Sequence, residues 1–340
     1  MKSKEYWTKR FEQLELSAYK EGAECFNDIS KVYDNAILEI EKEIAKWYTR
    51  YATENGITLT EAKKILKANE LKEFHMSIEE YIKLGKSQPW SVELEKASVK
   101  FHISRLEAIQ TQIHAQVGLL HSNTLEKITD LNKKVYSKQY YKTLYEVQKG
   151  FGVGFDVTKL NHREIAEVLK KPWAKDGLDF SSRIWADRTK LVNTLDTTFT
   201  QGIITGKNPK KIISEVKHQL EVSRSSAERL VRTENKVIQS KAQRQGFEEL
   251  GVEQYQISAT LDSRTSEICQ DMDRKIFKMS EFEVGVTAPP FHPNCRTSTV
   301  PYDEDDEFFN FERAAKDENG KYITVPANMS YSQWKEKFVK

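Results

Sequence analysis

Two long apolar stripes, each repeating every three or four residues, restrict this chain's fold more than any other feature. Phe26, Ile29, Tyr33, Ile37, Ile40, Ile44, Trp47 and Tyr51 make the first. Leu94, Ala97, Phe101, Ile109, Ile113, Val117, Leu120, Ile128, Leu131 and Val135 make the second, with one or two slips. Such spacing lines one face of an α-helix. A helix of about 45 residues rises roughly 65 Å, so the stripes predict an extended antiparallel hairpin or bundle. Charged residues make up 31% and hydrophobic ones 38%, which suits long helices burying one stripe better than a compact sandwich.

Punctuation along the chain predicts the remaining elements. Asn55-Gly56 stops the first long helix. Thr58-x-x-Glu61 and Ser77-x-x-Glu80 each read as a capping box opening a shorter helix. Gln88-Pro89-Trp90-Ser91 breaks the chain, with Ser91 as the next cap. The glycine string from Lys149 to Phe155 lacks the Lys-Ser/Thr of a phosphate loop and reads as a hinge. Helix resumes from Asn161 to Ala242, with a turn at Thr205–Pro209 and a new start at Ser223-x-x-Ser226. Tyr255–Leu261 alternates and is β-branched, so it reads as a strand. An acidic run, Asp303–Glu307, leads into a loop and a short amphipathic end at Tyr331–Trp334. The expected fold is mainly α, with long N-terminal helices and a small C-terminal α+β domain. The expected division is a long-helix region at 1–150, a helical middle at 151–226, the α+β domain at 227–302 and a tail at 303–340.

Charge and cysteine content exclude several classes. With 53 basic and 51 acidic residues the net charge is +2, too small for a whole-protein attraction to nucleic acid or membrane. The sequence offers no apolar run of transmembrane length and no secretory h-region at its start. Cys25, Cys269 and Cys295 are too few for a disulfide framework, so folding in a cytoplasm is expected. Charge is segregated locally. Between Thr205 and Gln245 ten basic residues face four acidic ones, a net of +6. That stretch predicts contact with phosphates without sequence preference, with Lys236, Lys241 and Arg244 as the candidate nucleic-acid-binding residues.

The chemistry-bearing residues cluster late. A helix carries Arg232-Thr233-Glu234-Asn235. The strand ends in Asp262-Ser263-Arg264-Thr265. Cys269 and Asp273 follow, then Pro289-Pro290-Phe291-His292-Pro293-Asn294-Cys295-Arg296. An aspartate after a strand can fix its turn by accepting backbone N–H groups. Arg264 is expected to pair with Glu234 or Asp273, and Arg232 and Arg296 can do the same. Cys269, His292 and Cys295 allow three readings: a zinc site with Asp262, Asp271 or Asp273 as fourth ligand, a Cys269–Cys295 disulfide, or two unbonded thiols. A cysteine peptidase, or a nuclease using His292, Asp262 and Asp273, fits the residue types but not their context. His102, His114 and His121 show no metal spacing and read as surface histidines.

The ordered pieces R-T-E, D-x-R-T and H-P-N-C-R resemble the phage Mu F-like head morphogenesis family over about 75 residues. The resemblance implies a minor capsid protein that is not an enzyme and needs no cofactor. It implies association with the portal, with the procapsid, scaffold or major capsid protein, and with DNA, and residence in the virion after assembly in the host cytoplasm.

Overall fold

The computed structural model describes residues 4–52, 65–85, 88–151, 154, 157, 159–302, 312–316, 322–326, 329 and 331–338. Helices α1 (Lys4–Ala52), α2 (Ala68–Gly85), α3 (Pro89–Ser98), α4 (Arg105–Phe151), α5 (His162–Lys170), α6 (Phe180–Ile204) and α7 (Pro209–Glu249) come first. Strand β1 (Gln254–Ser258), helix α8 (Glu267–Met272), β2 (Ile276–Lys278) and β3 (Ser298–Tyr302) follow. The end holds β4 (Glu312–Lys316), β5 (Tyr322–Pro326) and α9 (Tyr331–Phe338). The fold is therefore mainly α with a small C-terminal α+β region, as the stripes and the single strand signal predict.

The chain forms two compact units that do not follow the expected linear boundaries. One comprises residues 1–25, 129–180 and 229–340; the other comprises 26–128 and 181–228. The physical reason is helix length: α1, α4 and α7 each contribute residues to both units. The expected domain at 227–302 is accordingly one part of a unit.

In the second unit the first stripe is buried from Ile29 onward, where Ile29, Tyr33, Ile37, Ile40, Ile44 and Trp47 are all 8% exposed or less, while Phe26 at its start is only half-buried. Trp47 stacks edge-on against Tyr48 and Phe199 and donates its indole N–H to the Arg105 carbonyl at 3.0 Å. The second stripe is two helices. Phe101, 83% exposed, lies in the break between α3 and α4, and the slips in spacing mark that break. Pro89 begins α3 at a position where its missing N–H costs nothing, and Ser91 bonds back to the Gln88 carbonyl instead of capping. Ser77 sits inside α2 and Ser223 inside α7, so neither opens a helix. Ser223 is buried and donates to Asp187 at 2.5 Å; it also bonds the Tyr33 hydroxyl at 2.8 Å. His121 meets the same carboxylate at 3.1 Å and is 2% exposed, while His114 meets Asp196 at 2.8 Å. Both join α4 to α6; His114 is a partly exposed, hydrogen-bonded histidine, as a surface position allows, whereas His121 is buried and not a surface histidine. His102 is exposed, as expected. Tyr51, Asn55-Gly56 and Thr58-x-x-Glu61 lie outside the residues whose side chains are described.

In the first unit, the N-terminal part of α1 and the C-terminal parts of α4 and α7 bury Trp7, Phe11, Leu14, Val147 and Phe247 with Tyr255, Ile257 and Val300 of the sheet. The sheet is antiparallel in the order β2-β1-β3, with Tyr255 opposite Phe277 on one side and Pro301 on the other. The expected tail loop contains a hairpin, with Arg313 opposite Val325. Ala315, Val325 and Trp334 of this tail pack with Leu261, the residue before the Asp262 turn. The acidic run lies outside the described residues.

Gly150 is not a hinge. It lies within α4, and a Cβ there would stand 2.0 Å from Cη2 of Trp7. Gly150→Ala gains about 0.5–1 kcal/mol of helix propensity but overpacks a closed core. A net loss of about 1–3 kcal/mol is expected in denaturant unfolding. Gly154→Ala, with nothing within 4 Å, should leave the transition in place.

Candidate functional site: a buried Cys–His cluster on a polar scaffold

The site rests on one turn of α7 whose polar side chains hold three other segments of the chain. Glu234, 4% exposed, accepts the Trp173 indole N–H at 3.0 Å. Thr233 accepts the Asn294 backbone N–H at 3.3 Å. Asn235 donates to the Ala18 carbonyl at 2.7 Å. Arg232 bonds the Tyr19 hydroxyl and lies over its ring, 5.1 Å from the centroid. Lys236 meets Glu15 at 2.8 Å. Helix α1 comes close enough for this because of Gly22, where a Cβ would stand 2.5 Å from Asn235 Nδ2.

Part of the basic stretch is engaged within the chain. Lys236 is 5% exposed at its side chain and ion-paired. Lys241 donates to the Lys171 and Val168 carbonyls at 2.7 and 3.1 Å, closing the end of α5. Burial pushes Lys241 down to about 8. Arg244, 47% exposed at its side chain, pairs with Glu248 and donates to the Phe282 carbonyl. The three do not form one free cationic face. The reason is that a helix packed on several sides directs its long cations to internal acceptors as well as to water.

After β1 the chain turns on Asp262. Its Oδ1 accepts the Arg264 N–H at 2.9 Å, and its backbone carbonyl accepts the Thr265 N–H at 3.1 Å. The guanidinium that meets this carboxylate belongs to Arg296, through two bonds of 2.5 and 2.7 Å. Arg264 itself is exposed, so the expected pairing of Arg264 with Glu234 or Asp273 is replaced by that of Arg296 with Asp262. Burial raises Asp262, but the Arg296 fork and the Arg264 N–H outweigh it and hold the group below the usual aspartate range. Asp273 Oδ1 accepts the Ala259 N–H at 2.9 Å.

The second half of the motif is a turn that sets two ligand-type side chains next to each other. Cys295 N–H donates to the His292 carbonyl at 3.2 Å; Pro293 stands second and Asn294 third, the latter at φ 60°. Pro followed by a left-handed Asn is the residue pattern of a type II turn. Cys269, on α8, completes the group. Its Sγ lies 3.1 Å from His292 Nε2 and 3.6 Å from Cys295 Sγ. Both cysteines are buried, at 3% and 5% exposure. Ala259 and Phe291 pack against them. Hydrogen bonding from the Cys269 thiol, then from His292 and the backbone N–H groups of Phe291 and Thr297, favours the Cys295 thiolate against its burial. The Cys269 thiol is pushed up by Cys295 and by burial. His292 is raised by the Cys295 sulfur against desolvation. Asp262, Asp271 and Asp273 are not members of the group whose donor atoms lie within 4.8 Å of one another, which among the described residues is Cys269, His292 and Cys295.

The Arg296–Asp262 pair gives a direct test. Arg296→Ala leaves a buried carboxylate without its fork and should cost about 2–4 kcal/mol in denaturant unfolding. Arg264→Ala, at an exposed side chain, should stay within about 0.5 kcal/mol. Asp262's native value is depressed, so its contribution is fully present above the ordinary aspartate value of about 3.9. It is lost as pH falls through the depressed value, and this acid-side loss should shrink in Arg296→Ala.

Comparison with known proteins agrees with the placement of these motifs. Residues 193–300 match the family model described as Phage Mu protein F like protein. The chain is also 22% identical over 279 residues to the NAD(+)--arginine ADP-ribosyltransferase EFV of Enterococcus faecalis (strain ATCC 700802 / V583), across 81% of this chain and 48% of that protein. It thus spans about half the length of this curated relative. No solved structure matches the chain. Residues 193–300, which hold the R-T-E helix, the Asp262 turn and the H-P-N-C-R return, are thus the part of the chain that is similar to the phage Mu F-like family.

Proposed function

We propose that this protein is a minor, non-catalytic component of a tailed-phage head, incorporated during assembly and associated with the portal or procapsid. The observation that carries the reading is the family match over residues 193–300. The geometry supports it. The motif residues hold the unit together: Glu234, Thr233 and Asn235 each bind a separate segment, and Asp262 is closed by Arg296. Cys269 and Cys295 are covered by protein, which does not suit a peptidase nucleophile that must reach a substrate carbonyl. The enterococcal relative's name carries an enzymatic activity, but the chain corresponds to less than half of that protein, and the activity is not part of this proposal. No described helix is long and apolar enough to cross a membrane, in keeping with a virion location. DNA contact is a secondary element of the proposal. Exposed Lys210, Lys211, Lys217 and Arg229 of α7 are its remaining candidates, because Lys236 and Lys241 are engaged internally.

Mass spectrometry of purified procapsids and mature heads should find the protein at low copy against the major capsid protein. Its absence from both particles would overturn the assignment. The DNA element predicts weak duplex binding that falls steeply with salt, because each neutralised phosphate releases counterions. Failure to bind at low ionic strength removes that element alone.

A further inference from the structure

The structure assigns a binding site that the head-protein role does not require: we propose that Cys269, His292 and Cys295 bind one zinc ion, with a water molecule in the fourth position. The inference stands on the geometry of the cluster and is independent of the proposed virion role.

Two observations carry it. First, three soft or borderline donors converge from two separate segments, all within 4.8 Å of one another. Zinc–sulfur bonds of about 2.3 Å and zinc–nitrogen bonds of about 2.0–2.1 Å place tetrahedral ligands about 3.8 Å apart for two sulfurs and about 3.5 Å for sulfur and nitrogen. The observed 3.6 Å between sulfurs and 3.1 Å from Cys269 Sγ to His292 Nε2 need only a few tenths of an ångström of opening. Second, the imidazole is oriented for ligation. His292 Nδ1 lies 2.8 Å from the Pro293 carbonyl, which can only accept, so Nδ1 carries the proton. Nε2 is then the nitrogen that faces the sulfurs, and it would ligate once its proton is displaced by the metal. A backbone carbonyl fixing the tautomer through the other ring nitrogen is the usual outer support of a metal-bound histidine. A Cys269–Cys295 disulfide would leave that orientation without a role, and two unbonded thiols would not need a third ligand beside them.

The ion would join α8, after the Asp262 turn, to the proline-rich return before β3. Bonds already reach the same return from Thr233, through Asn294, and from Asp262, through Arg296. Zinc would act there as a cross-link beside a small sheet whose other face packs on the apolar core of α1, α4 and α7.

The full-length chain, purified reduced, is dialysed against zinc chloride and then against metal-free buffer, and its metal content is measured. One equivalent of zinc is expected to remain. Cobalt(II) in its place should give the thiolate-to-cobalt charge-transfer and d–d bands of a tetrahedral site. Cys295→Ser and His292→Ala should reduce retention to background, and Cys25→Ser should leave it at one equivalent. Should Cys295→Ser fail to fold, the decision passes to His292→Gln, with circular dichroism to verify folding and the cobalt spectrum as readout. A wild-type chain that retains no zinc overturns the proposal, as does a Cys269–Cys295 disulfide found by peptide mapping of chain purified without reductant and alkylated before unfolding. A folded His292→Gln chain with an unchanged cobalt spectrum also overturns it.

Discussion

The rule that a buried polar group must find a partner governs the unit that contains the site, and α7 from Arg232 to Lys236 is where it acts most densely. A bare helix would present this turn to water. Here Thr233, Glu234, Asn235 and Lys236 are all 6% exposed or less, and leaving any one unpaired would cost about 1–3 kcal/mol or more. Each is matched by a group from elsewhere in the chain: the 173 loop, the 294 turn, α1 and again α1. Four consecutive residues thus tie three remote segments to one turn of helix.

The same reasoning connects fold to site. The return from Pro289 to Arg296 has little regular structure, and short irregular segments hold shape only when their backbone groups are matched. Thr233 takes the Asn294 N–H, and Asp262 takes the Arg296 side chain. With both ends of the H-P-N-C turn held, His292 and Cys295 face Cys269 from fixed backbone. The family signature is thus chiefly a set of supports, and the three ligand-type atoms are what those supports position.

The match of residues 193–300 to the phage Mu F-like model and the 22% likeness to the enterococcal protein over 81% of the chain overlap along the sequence. The likeness extends beyond the family segment at 193–300. Within the helical framework α1, α6 and α7 are matched by specific polar contacts through Tyr33, Asp187 and Ser223 as well as by an apolar stripe.

What the sequence alone determined was the local and periodic part. The spacing from Ile29 to Trp47 specified a buried helix face, since every fourth residue meets the same neighbour whatever that neighbour is. The alternation at Tyr255–Leu261 specified a strand, which the structure places at Gln254–Ser258. Tertiary structure decided everything that depended on a partner. It decided that Arg296, and not Arg264, closes on Asp262, because two arginines are equal in sequence and differ only in where the return passes. It decided that Gly150 receives the Trp7 ring, that His121 is buried against Asp187, and that Lys236 meets Glu15 rather than solvent. Residues 193–300 carry a recognisable order of motifs, but their core is completed by Trp7, Phe11, Leu14 and Val147. Those contacts span more than a hundred residues, and periodicity, which compares a residue only with its near neighbours, contains no information about them.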